Sequence, residues 1–193
     1  MSLDDQVRWD KRHAGSGAAA GPSEFLRHIL SADSWPLPRG RALDIACGRG
    51  RNSLYLAEQG FDVLGVDISA AALDEGRARA ERSRLAIQWR QADLENTRLE
   101  PGVFDLVLNI NFLQRSLIPG IKRALKIGGH VIFETFLIDQ KNLGHPTNPD
   151  YLLRHNELLD HFRDFRVLCY REGRFSENGA LSYRAGILAQ RSG

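Results

Sequence analysis

The sequence predicts an α/β protein built on a seven-stranded, mostly parallel sheet with helices on both faces and an antiparallel last strand. Three observations predict it. From residue 41 onward, short apolar runs with strand character alternate with segments of helical period. The run LDIACGRGRNS, Leu43 to Ser53, passes from a strand covered on both faces through a glycine-bearing loop into a helix. Three acids, Asp44, Asp67 and Asp93, fall within or just after the first three of these strands.

Taken in chain order, Pro22 and Ser23 open a short helix running to about Leu30, and Trp35-Pro36-Leu37-Pro38 forms a rigid connector into the first strand. Strands are expected near 41–46, 61–66, 85–91, 103–110, 128–136, 164–171 and 180–189, with helices between most of them. After the fourth strand, LNINFLQRSLIPGIKRALKIGG changes from period 2 to period 3.6 around Pro119. Gly128 and Gly129 are expected to end that helix before VIFETF begins. In NELLDHF, Leu158, Leu159 and Phe162 repeat at helical spacing and read as core. The whole chain, 1–193, reads as one domain, with residues 1–38 as N-terminal lid and connector and 39–193 as the α/β core. The small-residue stretch Ala14 to Ser23 suits a segment that opens and closes.

Composition narrows the class. With 193 residues, 42% hydrophobic and 26% charged, the chain can bury a full core without staples. No run of 18 apolar residues occurs, and MSLDDQVRWDKRH is too polar for a signal peptide, so no membrane association and a cytoplasmic location are expected. Cys47 and Cys169 read as isolated thiols rather than a disulfide framework, and neither has zinc-type spacing. The net charge is only +2, and Arg77, Arg79, Arg82 and Arg84 are interleaved with Asp74, Glu75 and Glu81, as on a solvated helix face. A nucleic-acid partner is not expected. The oligomeric state is not legible.

The glycine loop carries the chemistry. Gly48 and Gly50 let backbone amides approach a ligand that a Cβ would push away, and Asn52 and Ser53 open a helix whose first N–H groups point back at the loop. The second strand, FDVLGVDIS, ends in Asp67, nineteen residues after Gly48, where an acid that grips ribose hydroxyls belongs. A nicotinamide dinucleotide enzyme would use similar features. Against that reading, the third glycine position is Ser53, and Asp44 sits inside the first strand, suited to the ammonium of a zwitterionic tail rather than to a pyrophosphate. Asp44 as a strand acid that merely caps a neighbouring loop is the structural alternative.

At these residues the sequence resembles the class I S-adenosylmethionine-dependent methyltransferases, which have a Rossmann-like sheet, and more closely their small tellurite-resistance TehB-like branch. The match runs from WDKRH through CGRGRNSLYLAEQGFDVLGVDIS and QADLE to LNINFLQRS, LKIGGHVIFETF and ALSYRAGILAQ. The resemblance implies S-adenosylmethionine as cofactor, with Gly48 and Gly50 under its methionine part, Asp67 with Ile68 at the ribose, and Asp93 with Leu94 at the adenine. It also favours soft acceptors such as thiols or chalcogen oxyanions. A cofactor-binding module without turnover, regulating a partner, is the alternative from another class.

Acceptor contacts are expected at the carboxyl ends of the strands. Trp9 and Arg12 are candidates for folding over the cofactor, against the plainer reading of an anchored amphipathic stub. Asn109, at the end of the fourth strand, is a candidate cofactor contact, and Arg115 either faces an anionic acceptor or pairs with a surface acid. The stretch LIDQKNLGHPTNPDYLLRHNELL is long for a connection and offers His145, Tyr151 and Arg154 to an acceptor pocket, with His145 a general-base candidate against the plainer reading of a solvent-exposed loop histidine. Methyl transfer from a sulfonium needs alignment more than reactive side chains, so no metal is expected and a small-molecule acceptor is.

Overall fold

The structure, a computed structural model, describes residues 21–193 except Pro36 and Asn178. Seven strands form one sheet: β1 (Arg41–Ile45), β2 (Asp62–Asp67), β3 (Ile87–Gln91), β4 (Phe104–Ile110), β5 (Leu125–Phe136), β6 (Arg166–Glu177) and β7 (Ala180–Gln190). Their order is β3-β2-β1-β4-β5-β7-β6. Pairing is parallel from β3 through β5, and β7 runs antiparallel to both β5 and β6. The strand order reverses between β1 and β4, and an open sheet of this kind offers its ligand crevice there, beyond the carboxyl ends of the strands.

Among the described residues, five α-helices accompany the sheet: α1 (Glu24–Ser31), α2 (Arg51–Glu58), α3 (Ala70–Arg82), α4 (Ile118–Ala124) and α5 (Glu157–His161). The Ser23 and Ser69 hydroxyls cap α1 and α3 by accepting from the amides of Leu26 and Ala72. Among the described residues, no helix is long and apolar enough to cross a membrane.

Period-2 alternation sorts the strand residues onto two faces. Ala42, Val63, Leu106, Leu108, Ile132 and Leu188 pack with Phe25, Leu26 and Ile29 of α1 and Leu56 of α2. Leu43, Ile45, Leu64, Val66, Val107, Val131, Phe133 and Ile187 pack on the other face with Ile118, Ile121, Leu158 and Phe162. Helix α1, within the segment expected as lid and connector, is therefore built into the covering layer.

Two expected boundaries are corrected. The helix after β4 stops at Ala124, not at Gly128, because Leu125 already pairs with Phe104. The register then slips so that His130 pairs with Leu106, and Gly128 sits in that irregularity at φ +81°, a conformation a glycine takes without strain. Strand β6 also runs on to Glu177, six residues past its expected end. Strands β6 and β7 stay paired up to Glu177 and Ala180, whereas β5 accompanies β7 only as far as the Phe136–Arg184 pair. The tip of the hairpin therefore overhangs the carboxyl edge of the sheet.

Candidate functional site

Beyond β1 the chain turns through left-handed conformations at Ala46, Gly48 and Gly50, with φ of 51°, 54° and 72°. The Gly48 amide donates to Asp67 Oδ2 at 2.7 Å, and the Gly50 amide to the Cys47 carbonyl at 3.0 Å. Gly50 carries a constraint beyond the expected one. A Cβ there would lie 2.2 Å from the Trp89 ring, and a Cβ at Gly65 or Gly76 would lie 3.0 or 2.9 Å from the same ring. Gly50 is glycine to seat an indole as well as to turn the chain. Trp89 is a site-shaping residue that the sequence reading passed over as an ordinary strand position.

Asp44 lies fully buried in β1, and Ser53 of α2 donates to its Oδ2 at 2.6 Å. Burial pushes its carboxyl from an ordinary 3.8 up to about 7, opposed by the Ser53 hydroxyl and Arg51 and reinforced by Asp67. A carboxylate so desolvated beside a glycine loop fits an ammonium group. Asn52 is already engaged, its Oδ1 accepting from the Ser23 amide at 2.9 Å, so it ties α1 to α2 in this structure.

Asp67 ends β2, buried, with its Oδ1 accepting from the Ser69 amide at 2.9 Å. Each carboxylate oxygen keeps a second lone pair for a hydroxyl donor. Ile68 is buried next to it, and its carbonyl accepts from Gln91. Asp93 shapes the turn after β3: its carboxylate accepts from the Glu95 amide and the Asn96 side chain, with Leu94 buried beside it. Asn109 is buried at the end of β4 and donates to the Phe112 carbonyl at 2.7 Å. The glycine loop, Asp44, Asp67, Asp93 and Asn109 thus sit on the carboxyl ends of adjacent strands. The residues present fit a cofactor with one ammonium, one ribose diol and one flat base.

The acceptor candidates fare differently. Arg115 takes the acid-pairing alternative in this structure: its Nε and Nη2 donate to the Glu157 carboxylate at 2.6 and 3.0 Å, and its Nη atoms to the carbonyls of Asp150 and Leu152. Glu157 is buried, which works against its ionised form, but Arg115 and the Arg154 amide outweigh burial and hold its carboxyl down to about 2. Arg154 is exposed and leans on the same Glu157 at 3.4 Å. His145 is exposed, and its carbonyl accepts from Gln140. Trp9 and Arg12 lie outside the described residues.

A charged cluster from distant strands was not foreseen. Glu134 of β5, fully buried, accepts from Arg171 Nε of β6 at 3.1 Å and lies 3.6 Å from Arg184 of β7. Arg184 donates to Asn111 Oδ1 at 2.6 Å and to Ser182 Oγ at 2.8 Å, stands over the Phe136 ring, and lies 3.0 Å from Glu177. Burial raises the Glu134 carboxyl and lowers the Arg184 guanidinium, each opposed by its ion-pair partners. Only the strand register brings these groups together, so no short motif announces them.

Comparison with known proteins supports a class I S-adenosylmethionine-dependent methyltransferase, whose Rossmann-like fold this chain has. Residues 42–129 match a family model described as a methyltransferase domain. The chain is similar to the ubiquinone biosynthesis O-methyltransferase of Pseudomonas aeruginosa (strain UCBPP-PA14), 33% identical over 154 residues that cover 76% of this chain and 64% of that protein. It spans between 42% and 64% of the length of these curated relatives. Among solved structures it shares its fold with one describing conversion of a disulfide bond into a thioacetal group during echinomycin biosynthesis, with TM-score 0.78 and 18% identity over 97% of this chain and 92% of that one. TehB from Haemophilus influenzae has the same fold, with TM-score 0.73 and 22% identity over 97% of this chain and 67% of that one.

Proposed function

We propose that the chain transfers a methyl group from S-adenosylmethionine to a hydroxyl oxygen of a small molecule. The observation that carries this reading is Asp44, a buried carboxyl pushed up to about 7 beside the glycine loop, with Asp67 on the neighbouring strand end. In this reading Asp44 faces the cofactor ammonium, Asp67 takes the ribose hydroxyls, Asp93 and Leu94 border the adenine, and Asn109 and Ile68 close the sides. When bound, the cofactor supplies an electrophilic methyl carbon on a sulfonium. The protein's part is to align the acceptor with that carbon and to exclude water.

Oxygen as the acceptor atom is supported by the likeness to ubiquinone biosynthesis O-methyltransferases. The thiols and chalcogen oxyanions favoured by the TehB resemblance find less support at the rim, where Glu134 and Glu177 set carboxylates among the arginines. Calorimetric titration with S-adenosylhomocysteine tests the cofactor assignment. Removing two charge-assisted hydrogen bonds in Asp67→Ala is expected to weaken binding on the order of 100-fold, and Asp93→Ala less. Unchanged affinity in both folded variants refutes it.

A further inference from the structure

A cleft of about 250 Å³ opens between α2, the end of α3 and the chain at Gly21 and Pro22. Three guanidinium groups line it: Arg51 from α2, and Arg79 and Arg82 from α3. Glu58 is the one carboxylate that lines it among the described residues. Asp44, Asp67, Asp93 and Asn109 do not line it, so the cleft is separate from the strand-end site assigned to the cofactor. Helical period explains how a helix of mixed charge presents a wall of one sign. Arg79 and Arg82, three residues apart, share the face of α3 that borders the cleft, while Asp74 and Arg77 pair with each other and do not line it.

The positive charge of this wall is not neutralised elsewhere. The Arg82 side chain is exposed and has no ion-pair partner among the described residues. Arg79 donates to the Arg49 carbonyl at 3.1 Å and Arg51 to the Gly21 carbonyl at 3.2 Å, neutral acceptors that leave both charges in place. Arg51 also lies 4.0 Å from Glu177, but Arg184 stands closer to that carboxylate, at 3.0 Å, and Arg171 pairs with Glu134, so two arginines already balance those two acids. Three guanidiniums against the Glu58 carboxylate leave two positive charges over. A phosphate monoester brings about −1.5 to −2 at pH 7 and accepts from several N–H donors at once; a monocarboxylate or a sulfonate brings only about half that charge. Leu54, the Tyr55 ring and Pro22 give the cleft an apolar side. Its volume, below the roughly 300–1,000 Å³ of drug-sized ligand sites, suits a small organic group rather than a nucleoside triphosphate.

We propose that this cleft is a second ligand site, for a small organic phosphate monoester, and that its occupancy weakens cofactor binding at the glycine loop. The link is Arg51. It follows Gly50 directly as the first residue of α2, and its charge favours the ionised form of Asp44. A dianion seated on Arg51 offsets that charge, and the buried Asp44 carboxylate becomes a poorer partner for an ammonium group. By thermodynamic linkage the cofactor weakens monoester binding by the same factor. The link to the loop rests on the methyltransferase reading above; the phosphate site does not, since the residues that form it lie outside the cofactor site.

Calorimetry on the full chain at about pH 7.5, where a monoester is doubly charged, tests both parts with phenyl phosphate as the probe. Inorganic phosphate lacks the ring and benzenesulfonate lacks the second charge, and each should bind roughly 10-fold more weakly. Arg82→Gln removes an exposed, unpaired side chain and should weaken phenyl phosphate about 10-fold, with the melting temperature and the S-adenosylhomocysteine affinity of the phosphate-free protein unchanged. Arg77→Gln, on the same helix but off the cleft, should leave phenyl phosphate binding as it is. Raising phenyl phosphate should weaken S-adenosylhomocysteine binding to the wild type by about 5-fold and then no further, as linkage between two separate sites requires. Weakening that continues without limit means that the probe competes for the cofactor site, and it overturns the proposal. Absence of saturable binding, equal affinity for the three anions, or equal loss in Arg77→Gln and Arg82→Gln also overturns it. Saturable binding that leaves S-adenosylhomocysteine affinity untouched overturns the link to the glycine loop. A wild-type protein that fails to bind S-adenosylhomocysteine before any phosphate is added sinks the methyltransferase reading instead, and the phenyl phosphate titration without cofactor still decides the second site.

Discussion

Asp44, Gly48, Asp67 and Asp93 stand on three successive strand ends, each placed by its own strand and the loop that follows. Glu134, Arg171, Glu177 and Arg184 meet at the same edge of the same sheet, but from β5, β6 and β7, through an antiparallel hairpin that folds back on a parallel sheet. The first group is held largely by backbone amides: Gly48 and Ser69 on Asp67, Glu95 on Asp93. The second is held by side chains that hold one another. Groups fixed by backbone form a template that suits a cofactor of constant shape. Groups fixed by mutual ion pairs can exchange partners, which suits an acceptor that enters and leaves.

That contrast has a mechanical support, and breaking the support gives the largest expected effect. Arg115 fastens the segment after β5 by four hydrogen bonds, two of them to buried Glu157. Arg115→Ala leaves that carboxylate without its main partner and is expected to cost roughly 3 kcal/mol in urea unfolding at neutral pH. Because the Glu157 carboxyl is held down to about 2, its contribution to stability is present above its ordinary value of 4.5 and is lost as pH falls toward 2. The acid sensitivity of folding should therefore shrink in the variant. S-adenosylhomocysteine affinity should not change. A loss of affinity without a loss of stability would place Arg115 on the ligand and erase the distinction between anchor and site.

The legibility of the molecule follows the same division. The sheet order depends on βαβ units whose strands, turns and caps are each written locally, so LDIACGRGRNS and FDVLGVDIS were enough to place Asp44, Gly48 and Asp67 at one edge. The charged cluster was invisible because Glu134 and Arg184 are 50 residues apart and meet through a strand register that no local period encodes. Arg115 was left between two readings for the same reason: its partner Glu157 lies 42 residues further on. Gly128 and Gly129 misled in the opposite way, since a glycine pair ends a helix in one setting and accommodates a register slip in another.

A smaller effect sharpens the template half. The folded Asp44 carboxyl titrates near 7 and an unfolded one near 3.8, so the folded state holds more protons between those values and stability falls as pH rises through that window. For the cofactor-free protein this amounts to about 2.5 kcal/mol between pH 5 and pH 8. Asp44→Asn should flatten that slope in urea unfolding at the two pH values while weakening S-adenosylhomocysteine binding. Saturating S-adenosylmethionine should flatten it in the wild type, since an ammonium beside the carboxylate favours its charged form at the higher pH. A wild-type slope that ligand leaves untouched would mean that Asp44 answers only to Ser53 and Arg51, and that the template ends at Asp67.

The smallest effect asks whether the glycine loop is shaped by its ligand or by Trp89. Gly50→Ala carries two separable costs: a positive φ of 72°, and a Cβ placed 2.2 Å from the indole. The first remains whatever occupies position 89; the second vanishes when the ring is removed. In a double-mutant cycle with Trp89→Ala, Gly50→Ala should therefore cost less than in the wild-type background, with a coupling energy of about 1.5 kcal/mol. Cofactor affinity measured on the same four proteins then assigns the loop. If Gly50→Ala weakens S-adenosylhomocysteine binding in the wild type and affinity returns in the Trp89→Ala background, the ring presses the loop into its binding shape and the template includes β3. If affinity stays lost with the ring gone, the new Cβ obstructs the ligand itself, and the glycine answers to the cofactor first.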